Sequence, residues 1–107
     1  MAKVDKIALV QSYLKQLHQT KVPLNLAVFG EVVERLGAAN YSKDAQLVAV
    51  ADTAELDRVY KSFVADELKI TDAVAGMKLI KKAVAKMKPI KRKYRAVFYY
   101  VLTQLNK

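Results

Sequence analysis

Apolar residues recur every three or four positions along almost the whole chain, and this spacing is typical of helices that bury one face. The clearest repeat lies in residues 90–105. Its apolar positions are Ile90, Tyr94, Val97, Phe98, Val101, Leu102 and Leu105. Only three glycines and two prolines occur among 107 residues, and all-β folds usually need more of both for their turns. The pattern therefore predicts an all-α fold.

Proline and glycine mark several of the predicted helix ends. Pro23 ends the first helix, because proline cannot continue it, and Pro89 separates the last two helices. Gly37 suits a left-handed C-cap for a second helix over residues 24–36. Gly30 interrupts that helix at a cost of about 1 kcal/mol relative to alanine, which indicates either a close helix crossing or a bend.

Capping residues predict the remaining helix starts. Asp52 is a suitable N-cap, and Glu55 follows it at the spacing of a capping box. Thr71 is the predicted N-cap of the next helix. Ser42 is a candidate N-cap for a short helix over residues 43–48.

Together these signals predict about five helices joined by short connections. A chain of 107 residues hides roughly two-thirds of its unfolded surface when it folds, and 53% of the residues are apolar. This composition supports a hydrophobic core without disulfides or metals. We predict a compact helical bundle with orthogonal or irregular packing, in which residues 1–107 form one domain.

Two blocks of residues carry a resemblance to a known family. The first block comprises residues 41–45, 50–52, 55–56, 59–63 and Leu68. The second and more specific block is residues 93–102, with the sequence KYRAVFYYVL. Over about residues 24–105 the chain resembles a small bacterial family catalogued as domain of unknown function family 2853, whereas the N-terminal helix and residues 78–88 match it less well. The resemblance implies a compact helical bacterial protein and supplies no activity, substrate or catalytic residue.

The chain lacks the residue clusters that most catalytic and metal sites require. It has no cysteine and a single histidine, His18, so disulfides and thiolate metal sites are excluded. Glu31 and Glu34 share a helix face but have no histidine partner for a di-iron pattern. No phosphate-binding loop or dinucleotide fingerprint occurs. We expect no enzymatic activity, no metal and no cofactor.

The sequence shows no signal for export or for membrane insertion. Asp5 and Lys6 occupy the place where a signal peptide would begin its apolar run. The longest uncharged apolar stretch near the C-terminus, residues 96–102, is too short to span a bilayer. Because small secreted proteins often rely on disulfides, the absence of cysteine adds to these features, and we predict a cytoplasmic protein.

Charge is distributed unevenly along the chain, which has a net charge of +9. Residues 73–107 contain ten basic residues and no Asp or Glu, whereas residues 1–72 contain nine basic and ten acidic residues. Such an imbalance predicts an anionic partner, a nucleic acid or another polyanion. The alternative is a solvated lysine face that only keeps the protein soluble.

A basic face on the last two helices is the predicted binding site. Lysine and arginine attract phosphates and release counterions. Arg92, Arg95 and Tyr99 stand three and four positions apart, on a face separate from the apolar repeat, and the tyrosine ring is placed to stack on an unpaired base. The complete predicted site comprises Lys82, Lys86, Lys88, Arg92, Arg95 and Tyr99.

A second interpretation is a protein-interaction or homo-oligomerisation module that binds no nucleic acid. It requires an apolar stripe outside the core, for which Val48, Val50 and Val64 are candidates. Association of the lysine-rich helix over residues 72–88 with an anionic membrane surface is a weaker alternative. Because the apolar seam of that helix is needed for the core, we do not expect a membrane partner.

Overall fold

The structure, a computed structural model, describes residues 6–42 and 45–106, with side chains from residue 9 onward. Within these ranges lie five α-helices: α1 Lys6–Thr20, α2 Leu26–Leu36, α3 Thr53–Val59, α4 Ala73–Lys86 and α5 Arg95–Leu105. A 3-10 helix, Gly37–Tyr41, follows α2, and a π-helical segment, Tyr60–Val64, continues α3. The predicted all-α bundle of about five helices is confirmed. Asp5, used above in the argument against a signal peptide, lies outside the described residues.

Helix α5 forms the centre of the molecule. Every residue from 96 to 102 is buried, and α1, α2 and α4 all pack against this helix. A helix that is apolar on all sides belongs in the interior, so the unbroken stretch AVFYYVL over these residues explains its position. The apolar repeat predicted one buried face for the last helix, whereas the structure buries all of its faces over this stretch.

An antiparallel backbone pairing replaces two segments that the sequence predicted as helical. Leu47 and Tyr94 form an isolated β-bridge. The amide after Tyr94 donates to the carbonyl before Leu47 at 2.8 Å. Because backbone groups that bond across the chain are not free for helical bonds, the helix predicted over residues 43–48 is wrong for all of its described residues. For the same reason α5 begins only at Arg95, later than predicted.

Most helix ends lie at or beside the positions that the capping signals predicted. Gly37 ends α2 with a φ of 50°, and Asp52 accepts hydrogen bonds from the first amides of α3. One N-cap was not predicted, and another is shifted by one residue. Asn25 caps α2, and Asp72 rather than Thr71 caps α4. In both cases the side-chain oxygen of the actual cap accepts from the free amides of the first helical turn.

Of the two alternatives predicted for Gly30, a close helix crossing or a bend, the close contact is found at a different glycine. Gly30 lies on the exposed side of α2, and a Cβ added there would meet no atom within 4 Å. A close crossing at Gly30 is therefore wrong. In α4, by contrast, a Cβ added to Gly76 would lie 2.6 Å from Cδ1 of Tyr60. The Tyr60 hydroxyl donates to the Thr71 carbonyl at 2.9 Å, which holds the ring against the glycine.

Replacing each of these glycines by alanine is expected to change stability in opposite directions. Gly30→Ala should raise the free energy of unfolding by about 0.5–1 kcal/mol, because alanine loses less backbone entropy in a helix. Gly76→Ala should lower it by about 1–3 kcal/mol, because the Tyr60 ring must move. Urea denaturation followed by circular dichroism measures both changes. Stabilisation by both substitutions would contradict the placement of Gly76 against Tyr60.

Candidate polyanion-binding surface

Four of the six predicted site residues lie on the outside of the molecule. They are Lys82, Lys86, Lys88 and Arg92. Among the residues that the structure describes, none of these four forms an ion pair. Their charges therefore face solvent or a partner. The other two predicted residues lie inside the fold.

Arg95 is bound within the molecule, and its assignment to an exposed binding face is wrong. Its guanidinium donates to Glu55 at 2.5 Å, to the Ala45 carbonyl at 2.7 Å and to the Leu47 carbonyl at 3.2 Å. Only 16% of the side chain is exposed. The three-residue spacing does not place the two arginines on one helix face, because Arg92 precedes α5.

Glu55 is the internal partner of this arginine and does not complete a capping box. Its Oε1 accepts from Arg95, and its Oε2 accepts from Arg58 at 2.8 Å. Burial by itself would raise the pKa of Glu55. The hydrogen bonds and charges of the two arginines outweigh that effect and lower the pKa from its ordinary value of 4.5. The pair joins α3 to the first turn of α5.

Tyr99 lies in the core, so its predicted role in stacking on a base is wrong. The residue is 7% exposed. Its ring stacks on Phe63, with centroids 4.2 Å apart and ring planes inclined by 23°, and its hydroxyl accepts from Arg95 at 3.3 Å. The signal that excludes an exposed ring is present in the sequence, because Tyr99 stands in the middle of the unbroken apolar stretch 96–102.

The tertiary structure adds a cation that reasoning from the sequence missed. Lys15 of α1 and the cations Lys91 and Arg92 line the same surface groove, which we call the basic groove. It has a volume of about 290 Å³, and its other lining includes Ile90 and three neutral polar side chains of α1. None of the described residues that line it is acidic.

Gln16 fastens one side of the basic groove to the other. Its Nε2 donates to the Arg92 carbonyl at 2.6 Å, and its Oε1 accepts from the Tyr94 amide at 3.1 Å. A single side-chain amide thus satisfies two backbone groups of the extended segment that precedes α5. No local pattern predicts this contact, because Gln16 and Tyr94 are 78 residues apart in the chain.

A second group of cations lies near the C-terminal ends of α1 and α4. Lys86 lines a shallow pocket of about 310 Å³ together with Lys21. Lys82 precedes Lys86 by about one helical turn on α4, and Lys88 stands next to the proline of the basic groove. The set that we call the basic surface comprises Lys15, Lys21, Lys82, Lys86, Lys88, Lys91 and Arg92.

Two further findings apply to the part of the chain that the structure describes. No three His, Cys, Asp or Glu side chains are grouped there as metal ligands. None of its helices has both the length and the apolar character needed to cross a bilayer.

Glu55→Gln is expected to destabilise the protein in a pH-dependent way. At neutral pH the loss should be about 2 kcal/mol, because the charge of Arg95 stays in place without its carboxylate. The pKa of Glu55 is lowered by folding, so its contribution is present above the ordinary value and is lost as the pH falls through the folded value. Urea denaturation at several pH values should therefore show the two proteins converging under acidic conditions.

Asp57→Asn is the matched control for this experiment. It removes the same charge from α3, but Asp57 pairs with Lys61 on the exposed surface at 3.0 Å. Pairs of this kind contribute little, so we expect a change below about 0.5 kcal/mol. A Glu55→Gln effect that is equally small, or equally large at every pH, would disprove the internal charge pair.

Comparison with known proteins assigns a family but no activity. A family model described as a protein of unknown function, DUF2853, matches residues 12–107. The match includes most of α1 and the whole of α4, so it extends further towards the N-terminus than the resemblance seen from the residues alone. No curated protein matches the chain. On the length of the family match, the chain belongs to the DUF2853 family.

Proposed function

We propose that this protein binds a nucleic acid or another phosphate-rich polyanion through the basic surface. The observation that carries the proposal is the basic groove. Lys15, Lys91 and Arg92 line it together, and no acidic residue belongs to its described lining. Cations that share a groove attract phosphates more strongly than scattered cations, because their potentials add and the groove walls focus the field.

The wider distribution of charge also supports the proposal. Seven exposed cations of the C-terminal part form no ion pair among the described residues. They are Lys78, Lys81, Lys82, Lys86, Lys88, Lys91 and Arg92. A surface that serves solubility alone usually mixes both signs of charge. Here the described acidic residues lie on α2, at the N-cap of α3, on α3 and in the connection from α3 to α4.

Phosphates rather than bases are the expected contacts. Because Tyr99 lies in the core, its predicted stacking on unpaired bases does not contribute, and the cations that line the basic groove are the expected contacts. Three to five phosphate contacts would give a slope of about −2.7 to −4.5 for log affinity against log salt concentration on duplex DNA.

The residues on which the other two interpretations depended lie largely inside the fold. Val48 and Val64 are buried and Val50 is half-buried, so these valines form no exposed stripe for a partner. Most of the apolar seam of α4 faces the core: Ile80 in the helix and Met87 just after it are completely buried, whereas Val74 at its start is 68% exposed. That helix therefore has no continuous apolar face for a membrane surface.

The proposal is tested by removing two charges from the basic groove. Lys91→Gln combined with Arg92→Gln should weaken binding to a fluorescent DNA duplex and reduce the salt slope by about 1.8, because two phosphate contacts are lost. Fluorescence anisotropy across a series of salt concentrations measures both quantities. Both side chains are exposed, so stability should change by less than about 0.5 kcal/mol.

A matched control separates the groove from net charge. Lys61→Gln combined with Lys69→Gln removes the same charge from exposed positions outside the basic surface and should leave the affinity nearly unchanged. If both double variants lose affinity equally, the groove has no special role. If the unaltered protein binds no duplex at low salt, the proposed function is wrong.

A further inference from the structure

Large exposed apolar side chains are carried mainly by α1 and by the start of α2. Four of the six that occur among the described residues belong to α1 or to the turn and first residue of α2. They are Val10, Leu14, Leu24 and Leu26, which are 44%, 40%, 56% and 63% exposed. Leu14 and Leu24 line a groove of about 460 Å³, which we call the apolar groove.

Buried residues complete the apolar groove from below. Leu17 and Val22 also line it and are only 4% and 9% exposed. The two exposed leucines therefore form its sides and the two buried residues its floor. A recessed floor of this kind accepts a side chain from a partner. A lipid surface, in contrast, binds apolar side chains that project from the protein.

The turn that carries Leu24 is held in a fixed position. The Tyr100 hydroxyl, which belongs to the buried central helix, donates to the Pro23 carbonyl and accepts from the Asn25 amide at 2.7 Å. The same hydroxyl accepts from Gln104 at 2.7 Å. Because both neighbours of Leu24 are bonded to α5, a partner would not have to order this turn on binding.

The border of the apolar groove is positively charged. The charge is that of Lys21, which belongs to the lining. Lys21 and Val22 also line the adjoining shallow pocket, which contains Lys86 and the half-buried Leu105. No acidic residue is present among the described residues that line either depression. The two depressions are therefore neighbours that share Lys21 and Val22.

We propose that the apolar groove binds an acidic amphipathic helical segment of another protein. Apolar side chains at every third or fourth position of that segment would enter the groove. Its flanking carboxylates would pair with Lys21 and Lys86. A second copy of this chain fits poorly, because each copy has a net charge of +9 and would bring like charges to the same border.

Two designed peptides provide the test. Each is helical and about five turns long, with leucines on one face; one has glutamates beside them and the other has lysines at the same positions. Binding is measured by methyl NMR of the full-length protein. We expect the acidic peptide to shift the methyl signals of Leu14, Leu17, Val22 and Leu24, and to bind at least about tenfold more tightly than the basic peptide.

Matched variants locate the binding site. Leu14→Ser combined with Leu24→Ser should abolish binding of the acidic peptide, whereas Val10→Ser combined with Leu26→Ser changes exposed leucine and valine side chains outside the groove and should preserve it. The groove variant should still bind duplex DNA, and Lys91→Gln combined with Arg92→Gln should still bind the peptide. Each double variant should weaken only one of the two binding reactions. Peptide binding and duplex binding can therefore fail independently, and a failure of this inference is distinguished from a failure of the proposed function.

Four results would overturn the inference. The first is no binding of the acidic peptide at concentrations up to about 1 mM, and the second is equal binding of the basic peptide. The third is a concentration-dependent dimer of the free protein whose formation requires Leu14 and Leu24, which would make a second copy the occupant. The fourth is a set of groove methyl shifts with anionic phospholipid vesicles that the acidic peptide does not reproduce.

Discussion

Burial of α5 on all sides is the constraint on which the rest of the structure depends. A helix that is apolar all round cannot leave a face in water, so α1, α2 and α4 surround residues 96–102. The polar atoms of this helix must then find partners inside the protein. Tyr100 does so by bonding the turn before α2, and Arg95 does so by bonding the segment before α3. The central helix therefore sets the course of the connections as well as the packing of the helices.

The same constraint divides the cations of the C-terminal part into two kinds. Arg95 stands at the first turn of the central helix, where its charge leaves bulk water and needs a carboxylate, which Glu55 supplies. The lysines of α4 and the cations around Pro89 stay outside. Because Glu55 is bonded to Arg95 and Arg58, it pairs with none of the exposed lysines of α4 and with none of the exposed cations around Pro89.

Helix α1 lies between two depressions of different chemistry. Lys15 lines the basic groove with neutral polar neighbours, and Leu14, one residue earlier, lines the apolar groove. Both proposed partners are anionic, but they differ in apolar surface. A phosphate backbone has little apolar surface that could pack against Leu14 and Leu24, whereas an amphipathic segment has a whole apolar face. The linings therefore favour different partners, although cations belong to both linings, Lys21 in the apolar groove and Lys15, Lys91 and Arg92 in the basic groove, so salt affects binding at each.

The sequence by itself determined the features that depend on near neighbours. Helical spacing, the end of α2 at Gly37 and the start of α3 at Asp52 are local properties, and all were predicted correctly. The excess of positive charge was also visible. The uninterrupted apolar stretch AVFYYVL was enough to predict a buried central helix. We instead expected a single apolar face, and this expectation placed Tyr99 on the exposed surface.

Only the tertiary structure decided which distant residues meet. Three features join segments that are far apart in the chain. They are the hydrogen bond between Glu55 and Arg95, the hydrogen bonds of Gln16 to the backbone before α5, and the groove that Lys15 lines together with the cations after Pro89. Their energies depend on how helices pack around α5, and packing selects among many arrangements that share the same local preferences. The apolar spacing of a helix predicts which of its faces will be buried, but it does not predict which other helix will pack against that face.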